Sequence, residues 1–494
     1  MRRIEGISSL LLVSVAAVAL GSCTVVGPNF ARPPAPGVMG YTAEPLPPET
    51  ASSDTIGGDA QRFLENTDVP AQWWTLFGSQ VINDLVLESL KANPDLEAAQ
   101  AALRQAEQNY VAAEGPLYPQ VNGSGSLTRQ RSTTTGHVFD LFNASVSVSY
   151  IFDVFGGIER SIEASGALEE NSRFQMEATY LTLTSNVITA VIQEATVSAQ
   201  IAATQDIITA QSQELDLLNQ QFELGAVARG DVLQQQSQLA ATQASLPPLQ
   251  KQLAQVRNQL AILLGRYPAE DQIPLVELTD LKLPPDLPLS LPSKLVEQRP
   301  DVRASEALLH QASANIGIAI ANQLPQFTLT GSFTDSTQQF GGFLDGHLLG
   351  WTLATGVTAP IFRGGTLEAQ KRAAIEAFDR TASQYRSTVL NAFANVANVL
   401  AALQLDAETL RVQLYAEQTA EQSLEITTER FQAGAIAYLS LLDAQRTYQQ
   451  ARIALVVAQA NRFADTVALF QSLGGGWWNR DDVAEAEARQ HVLP

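Results

Sequence analysis

Among the residues able to do chemistry, one stands apart by position. Cys23 is the only cysteine in the 494-residue chain, so it cannot enter an intrachain disulfide. It follows Leu20-Gly21-Ser22, which closes an apolar stretch running from Leu10 behind the basic start Met1-Arg2-Arg3. A basic start, an apolar core of that length and small residues before a break form a secretory signal. The end of this one resembles the site where bacterial lipoproteins are cleaved and acylated on the new terminal cysteine. The chemistry expected of Cys23 is therefore lipidation, each buried acyl methylene adding about 0.8 kcal/mol of membrane affinity. Thr24, not Asp, comes next, which points to the outer rather than the inner membrane. The remaining reactive side chains form no constellation. His137, His310, His347 and His491 are scattered without metal-ligand spacing. There is no Gly-rich phosphate loop and no nucleophile–base pair in a recognisable context. No enzyme activity, metal or cofactor is expected.

Composition narrows the partners. Hydrophobic residues make up 45% and charged residues 16%, with a net charge of −21 from 51 acidic and 30 basic side chains. Such a surface repels phosphate backbones, so nucleic acid is not expected as a partner. No unbroken apolar run long enough for a helical membrane span follows the N-terminus. A bilayer crossing would have to use strands, whose alternation escapes a hydropathy window.

The chain matches itself. Asn93-Pro94-Asp95-Leu96 aligns with Arg299-Pro300-Asp301-Val302, and Pro119-Gln120 and Gly125-Ser126 align in the same register with Pro325-Gln326 and Gly331-Ser332. Further on, Phe222-Glu223-Leu224-Gly225-Ala226-Val227 parallels Phe431-Gln432-Ala433-Gly434-Ala435-Ile436. The duplicated unit of about 200 residues is too long for a stacked solenoid repeat. Six parts follow: 1–22 signal peptide, 23–79 extended segment, 80–265 first repeat, 266–300 proline-rich connection, 301–473 second repeat, 474–494 tail.

Each repeat carries the same order of elements: a helix, two strands, then a long helical hairpin. Val146, Val148, Tyr150 and Phe152 alternate with Ser145, Ser147 and Ser149, facing a partner strand with Val121, Gly123, Gly125 and Leu127. Phe327, Leu329, Gly331 and Phe333 alternate with Thr328, Thr330, Ser332 and Thr334, and Trp351, Leu353, Val357 and Ile361 oppose Thr352, Ala354 and Thr358. Period-two alternation with hydroxyls on one face suits a barrel wall between lipid and water. A closed barrel needs roughly eight strands or more, and one chain supplies four. Residues 157–223 lack proline and as one helix would extend on the order of 100 Å. Apolar residues recur every seven positions at Ile201, Ile208, Leu215 and Phe222, then at Leu403, Leu410, Leu424 and Phe431 with Glu417 interrupting the second series, the spacing of a coiled-coil seam that is not an uninterrupted zipper.

These parts in this order resemble the TolC/OprM family of outer-membrane factors, and the lipidation signal places the likeness with its OprM-like (NodT/OprM) branch. The resemblance rests on Phe222-x-x-Gly225 with Asp231, Phe431-x-x-Gly434 through Tyr438–Arg446, Gly115-Pro116-Leu117-Tyr118-Pro119-Gln120 and Asp153-Val154-Phe155-Gly156. It implies an α+β membrane protein: a homotrimer sharing one twelve-strand β-barrel, four strands per protomer, continued by a helical coiled-coil tunnel in the periplasm. It implies a passive exit duct for small molecules, anchored in outer-membrane lipid. The implied partners are a periplasmic adaptor (membrane fusion protein) and an inner-membrane RND-type transporter. Gly225 and Gly434 fall at the tip turns, and Leu439, Asp443 and Arg446 at the periplasmic gate. Gly230, Gln234 and Ser237 occupy the first-half positions, so only the second repeat brings charge there. Arg446, one turn from Asp443, is expected to offset the mutual repulsion of three Asp443 carboxylates. Two alternatives stand beside this reading: a structural periplasmic coiled-coil lipoprotein and a type I protein-secretion duct.

Overall fold

The computed structural model describes residues 25–134, 136–270, 272–338 and 349–483. Cys23, His347 and His491, like the signal peptide, lie outside them. The described elements are β1 (Arg62–Glu65), α1 (Gln80–Ala92), α2 (Pro94–Glu114), β2 (Gln120–Arg131), β3 (Val138–Phe152), α3 (Gly157–Glu223) and α4 (Arg229–Leu263). After these come β4 (Asp286–Leu289), α5 (Pro292–Gln298), α6 (Pro300–Ala321), β5 (Gln326–Thr337), β6 (Leu349–Thr358), α7 (Thr366–Gln432) and α8 (Tyr438–Ser472). The chain divides into two compact units: 1–33, 101–173 and 304–387 form the first, and 34–100, 174–303 and 388–494 the second.

The first unit holds an antiparallel sheet in the order β2-β3-β5-β6. Its register pairs Gly123 with Val146, Val146 with Phe333 and Phe333 with Trp351. Because directly opposed residues share a face, one face gathers Val121, Leu127, Val146, Val148, Phe333, Trp351, Leu353 and Val357, all exposed. The other face carries the hydroxyls, and Thr334 Oγ1 donates to Ser145 Oγ at 3.2 Å. Below the sheet, residues 25–32 are strapped to the helices. The Val26 N–H donates to the Phe155 carbonyl at 3.1 Å. The buried Arg160 donates to Val26 O (3.0 Å), to Asn29 Oδ1 (2.7 Å) and to Glu163 (2.6 Å). His310, without a visible partner in the sequence, lies 2.9 Å from Glu163 and stacks on Phe30 at 4.4 Å. Gly27 crosses Gly317 so closely that a Cβ on it would sit 2.5 Å from the Gly317 Cα.

The second unit packs the long helices around Trp73, Trp74, Phe77, Phe463 and Phe470, all fully buried, with Trp73 stacked on Phe470 at 5.2 Å. The proline-rich connection builds β4 and α5. Pro292 starts α5, where its missing N–H would have had no helical partner, and β4 pairs in parallel with β1. Glu194, almost wholly buried, is met by Arg257 at 2.5 Å. Helices α3, α7 and α8 are long and apolar enough to cross a membrane by length and composition. That corrects the expectation of no such helix: windows rich in Ala, Ile, Leu and Val reach that hydropathy without an unbroken apolar run.

Arg462 on α8 is fully buried and donates to the Leu403 carbonyl (2.8 Å) and to Thr50 Oγ1 (3.1 Å). Nearby, burial and the Asp406 carboxylate push Asp465 up from 3.8 to about 7, against the pull of Arg462. The folded chain therefore keeps a proton there that the unfolded chain releases, and stability falls as pH rises between those two values. We expect Asp465→Asn to flatten the fall in melting temperature from pH 4 to 7. At pH 8 the variant should melt above the parent, as read by circular dichroism.

Candidate functional site

The hairpin ends are built alike. At the end of α3, Gly225 takes φ +76°. Its N–H donates to Phe222 O (2.9 Å) while Ala226 N–H reaches back to Gln221 O (2.8 Å). At the end of α7, Gly434 takes φ +71° and the same two bonds run to Phe431 O and Arg430 O, each 2.9 Å. These are paired caps that need a left-handed residue just past the helix. The next helix α4 begins with Asp231 Oδ2 accepting the Ala228 N–H at 3.2 Å. Nothing lies within 4 Å of a Cβ added at either glycine, so the cost of a side chain is conformational alone. Gly225→Ala and Gly434→Ala should each destabilise by about 1–2 kcal/mol, and the corresponding Asn variants by less. Chemical denaturation of the four variants checks this.

Behind the turns, Leu218, Val232, Tyr438, Leu441 and Leu442 form a buried cluster, edged by Leu215, Val227, Leu424 and Phe431. The ring of Tyr438 meets Phe431 edge-on at 5.5 Å, and its hydroxyl donates to Gln235 Oε1. Gln235 Nε2 in turn donates to the Gln211 carbonyl at 2.8 Å. Burial, then the nearby Glu214 and Asp231 carboxylates, drive the Tyr438 hydroxyl's pKa well up. The seam partly follows the expected heptads. Leu403 and Leu410 are fully buried, but Ile201, Ile208 and Leu215 are half-buried and Phe222 is exposed. On α3 the centre is taken by Ala203, Ile207, Gln211 and Leu218. The buried seven-residue series on α3 is thus Thr204, Gln211 and Leu218, three positions after the expected one, with small and polar side chains at two of its positions.

Leu439, Asp443 and Arg446 are spaced four and three apart on α8 and all are exposed, while the intervening Leu441 and Leu442 enter the core. The three thus occupy one helix face. The expected offset of Asp443 by Arg446 is not what the geometry shows: Arg446 Nε donates to Gln238 Oε1 of α4 at 2.8 Å. No Asp443–Arg446 ion pair occurs among the described residues. The guanidinium instead ties the start of α8 to the first-repeat hairpin, because Gln238 offers a buried acceptor within reach. Beside this tie runs a groove of about 740 Å³ lined by Gln200, Gln238, Pro248, Gln252, Gln450 and Ile453, among others. Pro247 and Pro248 lie inside α4 and leave two carbonyls of the preceding turn without their helical donors. Among the described residues no three His, Cys, Asp or Glu side chains converge as metal ligands.

Comparison with known proteins decides the family. The model of the outer membrane efflux protein family matches residues 85–266 and 291–475. The chain belongs to that family. The pyoverdine export outer membrane protein OpmQ of Pseudomonas putida is 30% identical over 449 residues, covering 88% of this chain and 94% of the relative. The cation efflux system protein CusC of Escherichia coli is 29% identical over 480 residues, covering 94% and 98%. The solved outer-membrane channel OprN superposes with a TM-score of 0.80 at 26% identity, over 92% of this chain and 99% of that one. The protein is thus an outer-membrane channel component of an efflux system, of TolC/OprM type. Family members are passive channels, and the sheet with its apolar face is the element suited to the bilayer.

Proposed function

We propose that three copies of this chain close one twelve-strand barrel in the outer membrane. Acyl groups on Cys23 would anchor it, and the helical hairpins would continue it as a tunnel gated at Leu439, Asp443 and Arg446. The observation that carries this reading is a pair of edges: β2 and β6 bound the sheet with no further strand beside them in the described chain. Hydrocarbon does not tolerate unpaired edges, and a four-strand sheet cannot close on itself. The apolar pair Ile361 and Phe362, 97% and 88% exposed just beyond β6, adds surface that a neighbour would cover.

An internal two-fold repeat is supported by element lengths. Helices α3 and α7 have 67 residues each, and α4 and α8 have 35 each. The two segments matched by the family model, 85–266 and 291–475, fall along the same division. Cargo would be delivered by an inner-membrane RND-type pump through a periplasmic adaptor. The exports named for the similar proteins, pyoverdine and a cation, are unlike one another, which speaks against one selective binding site. The duct is therefore read as passive, with selection upstream. Purified protein should form ion-conducting channels in planar lipid bilayers and migrate as an oligomer without boiling. A monomer without conductance would refute the reading.

A further inference from the structure

Within the second unit, α3, α7 and α8 enclose a cavity of about 260 Å³. Its wall includes Gln211, Glu214, Gln445, Asp206, Tyr448 and Arg452, with Ile207 and Leu424 as apolar surface. Its polar groups are unevenly served. Arg452 is already committed to Asp206 at 2.8 Å and to the Tyr448 hydroxyl at 3.3 Å. Gln211 is 2% exposed, and neither its Oε1 nor its Nε2 has a hydrogen-bond partner; Gln445 Oε1 has none either. Glu214 makes no ion pair among the described residues, and burial raises its pKa. Leaving such groups unmet is costly.

The deficit has a sign. Three acceptors (Gln211 Oε1, Gln445 Oε1 and the Glu214 carboxylate) want donors, while only Gln211 Nε2 wants an acceptor. With Asp206 and Arg452 neutralising one another, the wall keeps one uncompensated carboxylate. That excludes an anion, and a single carboxylate with two amides is a poor cage for a divalent metal. We propose that this cavity binds a small organic cation, a primary ammonium or guanidinium group on a short apolar stem. A primary ammonium brings three donors, matching the three unmet acceptors, and Ile207 and Leu424 would cover the stem. The space is ample, since an apolar cavity of about 150 Å³ already admits benzene. The site is built by one chain and does not depend on the gate or barrel reading. Because α3 comes from the first half and α7 and α8 from the second, an occupant would bridge the two hairpins.

The test uses the full chain in detergent, titrated calorimetrically with n-butylammonium and 1,4-diaminobutane. n-Butanol, which lacks the charge, and tetramethylammonium, which lacks N–H donors, serve as controls. Saturable binding of the two amines is expected, with both controls at least about tenfold weaker. Glu214→Gln should weaken n-butylammonium by about tenfold or more, and Gln445→Met by several-fold, with the unfolding midpoint of each variant confirming its fold. Should Glu214→Gln fail to fold, Gln445→Met and Gln211→Leu decide the matter. Equal binding of tetramethylammonium, unchanged affinity in the folded variants, or no saturable heat up to about 10 mM amine would each overturn the proposal.

Discussion

Cysteines placed at Val121 and Ile361 will link neighbouring subunits into a covalent trimer on oxidation. The register follows from the two hairpins and the junction between them. The hairpin pairs Gln120↔Ser149 and Gln326↔Thr358 equate β2 with β5 and β3 with β6. Between the repeats, β3 meets β5 with Phe152 opposite Phe327. Carrying that junction to the open edges puts Ile361 opposite Val121 of the next subunit, and Val357 opposite Gly125. Both pairs fall on the apolar face, as neighbouring residues of one wall must. Opposed Cα atoms in an antiparallel ladder lie about 4.5–5.5 Å apart, within reach of a disulfide. Non-reducing gels after boiling should show the trimer for Val121→Cys with Ile361→Cys, and for Gly125→Cys with Val357→Cys. The offset pair Val121→Cys with Val357→Cys, four residues out of register, should stay monomeric. Cross-linking only in the offset pair would sink the register, and none in any pair would sink the shared barrel.

Much of this architecture could be read in the residues, for reasons that differ by element. The long helices were legible because proline is absent from 157–223 and nothing else interrupts them. The strands were legible because Val146, Val148 and Phe333 alternate with serine and threonine, and the register then places them on one face. The tip turns were legible because a left-handed cap selects glycine, at Gly225 and Gly434. What escaped were long-range polar pairs, which leave no local period. The partner of Arg446 is Gln238, more than two hundred residues away; Arg462 reaches back to Thr50, and Glu163 joins Arg160 to His310. The seam on α3 was misplaced because its buried series, Thr204, Gln211 and Leu218, includes two polar residues that an apolar period overlooks, while the bulkier Ile208 and Phe222 lie off it. The adjacent prolines of α4 also defy a local rule, since the helix continues through Pro247 and Pro248.

Arg446→Ala is expected to open the duct, and the Asp443 and Arg446 double variant to do so as well. In both cases the effect comes mainly from the arginine. In the proposed trimer, repulsion among three Asp443 carboxylates around an axis would favour a wider ring, about 0.7 kcal/mol per pair at 6 Å in a water-like dielectric. Removing the aspartate alone therefore does not open the gate; it relieves a force that resists closure. In the proposed gate the restraint on the closed tip is the Arg446–Gln238 bond at 2.8 Å, which holds α8 against α4. A hydrogen bond to a charged group contributes about 1.5–3 kcal/mol, so its loss should raise the open-to-closed ratio about tenfold or more. In planar bilayers, Arg446→Ala and Gln238→Ala should both raise mean conductance, and combining them should add little, as for two ends of one bond. Asp443→Asn should lower cation preference without raising leak, because it removes charge from the constriction while leaving the tie intact. In the proposed gate Leu439 would remain as the apolar constriction in every variant, which keeps the comparison between them clean. Conductance that rises with Asp443→Asn but not with Arg446→Ala would reverse this assignment and make the aspartate the latch.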